Sequence, residues 1–103
     1  MNLTIKATKT TLTLGIKSAI ADKLSVLDKF LKQEDKVHVE CEVDKHHKTG
    51  PVYRAEVTIH PHGFFAESFG ADFYEALDLV VPKIKQQMVK VKDKRVSRRK
   101  AGR

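Results

Sequence analysis

A two-layer α+β sandwich of order β-α-β-β-β-α is the fold class this sequence predicts: a four-stranded sheet with two helices on one face. Three observations predict it. Apolar and polar residues alternate in three short stretches, a tight turn lets a fourth follow, and apolar residues recur at steps of three and four in two longer ones. The chain has 103 residues, which suffices for one core and not for two. With 41% hydrophobic and 32% charged residues, its composition is that of a globular chain and not of a disordered one.

Leu3, Ile5 and Ala7 alternate with Thr4 and Lys6, the period of a half-buried first strand. Thr13 then stands as N-cap before Ile16, Ile20, Leu24, Leu27 and Leu31, whose spacing predicts an amphipathic helix ending near Gln33. Gly15 costs that helix little because it lies in the first turn. Val37, Val39, Cys41 and Val43 alternate strictly with His38, Glu40 and Glu42, giving a second strand with a polar outer face. Asp44 to Pro51 is rich in turn formers and reads as a hairpin loop longer than the roughly two to five residues usual there. Tyr53, Ala55, Val57 and Ile59 resume the alternation as a third strand. Pro61 and Gly63 suit a tight turn, after which Phe64 to Phe69 returns as the fourth. These hairpins predict an antiparallel sheet. Asp72 followed by Glu75 resembles a capping box, and Phe73, Leu77, Val80, Ile84, Met88 and Val91 mark the buried face of the second helix. Pro82 predicts a kink near residues 78–81 and not an end, because the apolar period continues beyond it. From residue 95 that period is lost. Residues 1–94 are therefore expected to fold as one domain and residues 95–103 to form a disordered basic tail.

Charge is distributed unevenly. Residues 1–82 carry ten Lys/Arg and twelve Asp/Glu, whereas residues 83–103 carry ten Lys/Arg and only Asp93. A localised basic field attracts polyanions, of which phosphate backbones are the commonest. No apolar run approaches the ~18 residues of a membrane span, and the alternating opening is unlike a signal peptide, so a soluble, cytoplasmic protein is expected. Cys41 is the only cysteine, so it reads as a small buried hydrophobe. His46, His47, His60 and His62 lack the spacing of a metal site, and neither a metal nor a cofactor is expected. No glycine-rich phosphate loop, nucleophile elbow or carboxylate pair stands where a pocket would form, which argues against an enzyme and against a small-molecule substrate.

On the second helix, Lys83, Gln87, Lys90 and Lys94 fall within a sector roughly 40–60° wide. No acid occurs between Asp78 and Asp93. Amphipathic helices always have a polar face, but such faces usually mix signs. A row of like charges repels itself by a few tenths of a kcal/mol per pair, which is understandable when a polyanion is the neighbour. In the first helix Lys17 and Lys23 flank the apolar stripe, and Asp22 and Asp28 balance them. The loop from Lys45 to Lys48 fits a phosphate contact and a solvated hairpin tip equally well. Glu40, Glu42, Glu56 and Thr58 make the open face of the sheet acidic, while Tyr53 shares the phase of the core. Stacking of bases on that face is thus disfavoured, and RNA is expected to meet the helices and tail.

The run Asp72-Phe73-Tyr74-Glu75-Ala76-Leu77-Asp78, followed by Lys83 and Gln87, resembles the Asp-(Met/Leu/Phe)-Tyr-x-Ala-Ile-Asp signature of short ribosome hibernation promoting factors and ribosome-associated inhibitor A. Thr13 and Ala21-Asp22-Lys23-Leu24 match the beginning of that family, and the likeness spans residues 1 to about 94. The resemblance implies a fold partly similar to double-stranded-RNA-binding domains and a cytoplasmic, ribosome-associated protein. Its implied partners are the small ribosomal subunit, through 16S rRNA, and the whole ribosome, with no membrane and no small molecule. Bound in the decoding region, it would block the messenger and tRNA sites and inhibit translation; any protein partner for ribosome dimerisation is left open. The rRNA-binding positions so implied are Lys83, Lys90, Lys94 and Arg95 around the second helix, with Lys23 and Lys29 in the first. Lys45, His46, His47, Lys48, Arg98 and Arg99 would add secondary contacts. Pro82 departs from the family, whose second helix is usually unbroken. The alternative is a generic double-stranded RNA- or DNA-binding protein of similar topology.

Overall fold

Every alternating stretch is a strand in the computed structural model, which describes residues 2–46, 48 and 50–101, with side chains as far as residue 91. β1 (Asn2–Thr8), β2 (Lys36–Asp44), β3 (Val52–His60) and β4 (Phe64–Gly70) form one sheet in the order β1-β2-β3-β4. β2, β3 and β4 pair antiparallel, as their hairpins require. β1 pairs parallel to β2, from Asn2 opposite Lys36 to Thr8 opposite Glu42, so the sheet is mixed and not wholly antiparallel. The reason lies in the connection. A helix between two neighbouring strands returns the chain to the end from which it started, and only tight turns enforce antiparallel pairing.

Thr13 caps α1 (Leu14–Leu24) through its Oγ1, which accepts the Ile16 N–H at 3.1 Å. The helix stops well short of Gln33. At Ser25 the backbone N–H donates to the Ala21 and Asp22 carbonyls and the hydroxyl donates to Asp22 at 2.6 Å, so the chain tightens into a 3₁₀ helix, Ser25–Phe30. Leu24, Leu27 and Phe30 recur every three residues, the 3₁₀ period, which keeps one apolar edge facing the sheet.

α2 (Phe73–Ala101) begins with the predicted cap: Asp72 Oδ1 accepts the Glu75 N–H at 2.8 Å, while Glu75 Oε1 accepts the Ala71 N–H at 3.3 Å. It runs without interruption through Pro82, which sits on the exposed side where the carbonyl one turn back can meet water. The backbone stays helical to Ala101, where an irregular tail is expected from residue 95. Lys, Arg and Ala are strong helix formers, and extending an established helix adds a hydrogen bond per residue with no new nucleation.

Both helices cover the same face of the sheet. Ile20, Leu24 and Leu27 from the first helical layer, Leu77, Val80 and Ile84 from α2, and Val37, Val39, Val57 and Ile59 from the sheet are fully buried together. Tyr53 meets Phe73 edge to face, with ring centroids 4.8 Å apart. Cys41 lies in this core, and burial pushes its thiol up to about 11, so it stays protonated and unreactive. Asp35 is also buried. Its carboxylate accepts the Lys32 N–H at 2.8 Å and lies 3.2 Å from His62 Nε2, joining the loop before β2 to the β3–β4 turn. Ser68 Oγ is buried beneath α2 with no hydrogen-bond partner among the described residues.

Two substitutions test this core. Leu27→Ala should lower stability in urea unfolding by about 2–4 kcal/mol, since the side chain is fully buried. Ser68→Ala should instead be neutral or stabilise by up to about 1 kcal/mol, because it removes a buried hydroxyl that nothing satisfies.

Candidate nucleic-acid interface

With Leu77, Ile84 and Met88 buried, the 100° step of α2 carries its lysines to the flank and outer surface. Lys83 and Gln87 turn toward β4. The Gln87 carboxamide takes both backbone groups of Phe65: its Oε1 accepts the Phe65 N–H at 3.1 Å and its Nε2 donates to the Phe65 carbonyl at 2.5 Å. Lys83 Nζ donates to the Glu67 carbonyl at 3.2 Å. β4 is an edge strand, and these side chains stand where a fifth strand would pair. They fix the rotation of α2 and, with it, the direction of its charged face.

The expected lysines do not all behave alike. Lys90 is exposed and, with Pro82, Lys85, Gln86 and Val89, lines a shallow depression of about 380 Å³ on the outside of α2. Lys23 is half-buried and paired with Asp78 across the two helices, so its charge is compensated within the molecule. Beside that pair, Val26, Leu77, Val81, Pro82 and Lys85 complete a groove of about 370 Å³. Lys29 is exposed, with its ammonium 5.3 Å from the centroid of the Phe30 ring. Lys85 thus borders both depressions, although it lies outside the sector that carries Lys83 and Lys90. The lysine sector legible in the sequence does not include it; the packing of α1 against α2 makes it part of this surface.

Lys45, His46 and Lys48 are exposed at the β2–β3 turn, while His47 lies outside the described residues, as do the side chains of Lys94, Arg95, Arg98 and Arg99. The turn is at the end of the sheet where Tyr53 meets Phe73, the start of α2. Lys90 is seventeen residues further along that helix, roughly 25 Å at 1.5 Å per residue. The hairpin tip and the lysines of α2 are therefore separate basic regions.

The opposite face of the sheet carries the acids. Glu40 stands directly across from Glu56, and Glu56 across from Glu67, an arrangement in which like charges repel. Arg54 lies among them and donates to Glu40, to Glu42 at 3.1 Å, to Glu56 at 2.5 Å and to Glu67 at 3.4 Å. Lys6 adds a pair with Glu40 at 3.6 Å and Lys9 one with Glu42 at 3.9 Å. The Arg54 hydrogen bond holds the Glu40 carboxyl below its usual range. Alternation predicts the exposed glutamates but says nothing of the single arginine that unites four of them.

Among the described residues no three His, Cys, Asp or Glu side chains are placed to hold a metal ion. No helix there is long and apolar enough to cross a membrane. The family model described as Sigma 54 modulation protein / S30EA ribosomal protein matches residues 3–96. The chain belongs to this family. A ribosome hibernation promoting factor of Escherichia coli (strain K12) is 27% identical over 96 residues, which cover 91% of this chain and 96% of that protein. The N-terminal domain of Protein Y from Thermus thermophilus has the same fold: TM-score 0.74, 24% identity, 88% of this chain and 99% of that one. A ribosomal subunit interface protein from Coxiella burnetii superposes with a TM-score of 0.68 at 18% identity, over 90% of this chain and 99% of its own.

Acid should weaken this structure in a defined window. Asp35 is lowered chiefly by the Lys32 backbone N–H and Glu40 chiefly by Arg54, so both bind protons more readily in the unfolded chain. Their contribution is complete above the ordinary carboxylate range and should be lost as pH falls below about 4 through the depressed folded values. Arg54→Met should cost about 2 kcal/mol at pH 7, and less at pH 3, where the Glu40 carboxylate that Arg54 holds ionised is closer to taking up its proton. Urea unfolding at the two pH values measures both effects.

Proposed function

We propose that the chain is a ribosome hibernation factor that binds the small ribosomal subunit through RNA, using the outer surface of its helical layer. Family membership supports an association with the ribosome. The observation that carries the reading further is the segregation of charge. Glutamates on the sheet are tied to Arg54, whereas Lys85 and Lys90 on α2 make no ion pair among the described residues. Cations left without protein partners on a ridged helical surface suit phosphates, and each phosphate neutralised releases counterions into the solvent.

In this reading Lys83, Lys85 and Lys90 contact the rRNA backbone, with Lys29 on the 3₁₀ helix and the sequence-predicted Lys94 and Arg95 extending the same field. Lys23 acts through its pair with Asp78, holding α1 and α2 together so that their lysines present one surface. Seated in the decoding region, a rigid domain would exclude messenger and tRNA by occupying their space. No bond is made or broken, so the inhibition reverses when the protein leaves.

Sedimentation with ribosomes, isolated subunits and an unrelated RNA duplex in one salt series tests this. Selective retention on the small subunit is expected; equal affinity for any duplex at matched salt would favour a generic duplex-binding protein. Lys83→Ala, Lys85→Ala and Lys90→Ala should each lower the slope of log affinity against log salt by up to about one unit. Lys85→Glu/Lys90→Glu should reduce small-subunit affinity at least tenfold at physiological salt, while Lys32→Glu/Lys36→Glu, with the same change in net charge away from α2, should change it little. Equal losses from the two double variants would sink the docking surface proposed here.

A further inference from the structure

β4 carries a feature that this reading does not use. Phe65, Glu67 and Phe69 alternate along the strand and emerge on the open face of the sheet, opposite Thr58, Glu56 and Arg54 of β3. Phe65 is 48% exposed and Phe69 52%, in a chain whose core takes Phe73 down to 4%. Between the two rings the Glu67 side chain is 42% exposed, and its contact with Arg54, at 3.4 Å, is the longest of the four that Arg54 makes. Glu67 therefore keeps acceptor capacity directed outward. Beside Phe69, a depression of about 490 Å³ is lined by Glu42, Asp44, Val52 and Arg54.

Exposed rings on either side of a carboxylate specify a type of ligand. A guanidinium can lie flat on a phenyl ring and donate two parallel hydrogen bonds to a carboxylate, while an apolar stem lies over Val52 and Phe69. Alternate residues of a strand are about 6.6 Å apart, the spacing at which an extended peptide offers side chains on one side. Charge selects against RNA on this face: Glu40, Glu42, Asp44, Glu56 and Glu67 outnumber Lys6, Lys9, Lys36 and Arg54, although the whole chain carries +7. Recognition must also use side chains and not the strand edge. The outward backbone groups of Phe65 are both taken by Gln87, and the Glu67 carbonyl by Lys83.

We propose that Phe65, Glu67 and Phe69 form a docking strip for an arginine-rich, extended segment of a partner protein. The strip lies on the other face of the sheet from α2 and its outward Lys85 and Lys90, so the two surfaces can be occupied together.

Fluorescence anisotropy with a fluorescein-labelled peptide of six Arg-Ser repeats tests the proposal in the absence of ribosomes, so its outcome is independent of the reading above. Saturable, salt-sensitive binding is expected. Phe65→Ser/Phe69→Ser should weaken it about tenfold or more, and Glu67→Gln severalfold, whereas Lys85→Ala/Lys90→Ala should leave it unchanged. Circular dichroism establishes that each variant is folded; should the double Ser variant unfold, Glu67→Lys, an exposed replacement, decides the matter by abolishing binding or failing to. The proposal is overturned if the peptide does not bind, if the strip variants bind it as well as the parent chain, or if six Glu-Ser repeats bind equally. It is overturned too if a twelve-nucleotide polyuridine binds in its place with the same dependence on Phe65 and Phe69. Light scattering that shows a dimer lost with those two rings would assign the strip to a second copy of the chain instead.

Discussion

Burial on one side only is the constraint from which this molecule follows. Two helices suffice to cover one face of a four-stranded sheet, and no element among the described residues covers the other. The uncovered face has to be wet, and wet strand positions take polar residues, here mostly acids. Four glutamates on three adjacent strands would push those strands apart. Arg54 resolves this from the centre of the face, at the junction of β2, β3 and β4. Such a cluster lends orientation and coherence to the sheet more than net stability, because the charges are only partly removed from water.

The same constraint assigns the basic residues. Lys6 on β1 and Lys9 just beyond it are drawn to the glutamates and neutralised there. On α2 no acid stands between Asp78 and Asp93, and Asp78 is committed to Lys23, so the lysines of that stretch go unbalanced. A domain with an internally balanced sheet and an unbalanced helical layer has a direction, in that it can approach a polyanion productively from one side. Gln87 and Lys83 keep that side fixed relative to the sheet by holding α2 to the β4 backbone.

Local periodicity carried most of the fold. Strict alternation in β2 and β3 and the long apolar period of α2 are properties of neighbouring residues, and the caps at Thr13 and Asp72 are signalled within a turn. What sequence reading missed depends on contacts distant along the chain or on competition between similar geometries. The parallel pairing of β1 is decided 34 residues away, from Asn2 to Lys36. The exchange of α-helix for 3₁₀ helix at Ser25 keeps Leu24 and Leu27 inward, so the spacing of those residues cannot distinguish the two. At the candidate interface the lysines of α2 were legible as a charged sector, but Lys23 belongs to an ion pair that exists only once α1 meets α2. Lys85 joins the surface for the same reason.

The Gln87 carboxamide on Phe65 has a consequence for how copies of this protein can meet. A sheet with two bare edges can add strands at both and grow into a fibre. Here the Phe65 and Glu67 positions of the β4 edge are taken by the protein's own side chains, and β1 is the edge strand without such a cover among the described residues. Backbone pairing between molecules is then easiest at β1 against β1, an isologous contact with a two-fold axis that closes on itself after a single step. Crowded together at high concentration, these sheets have a terminating pair available to them at β1 and an obstructed edge at β4.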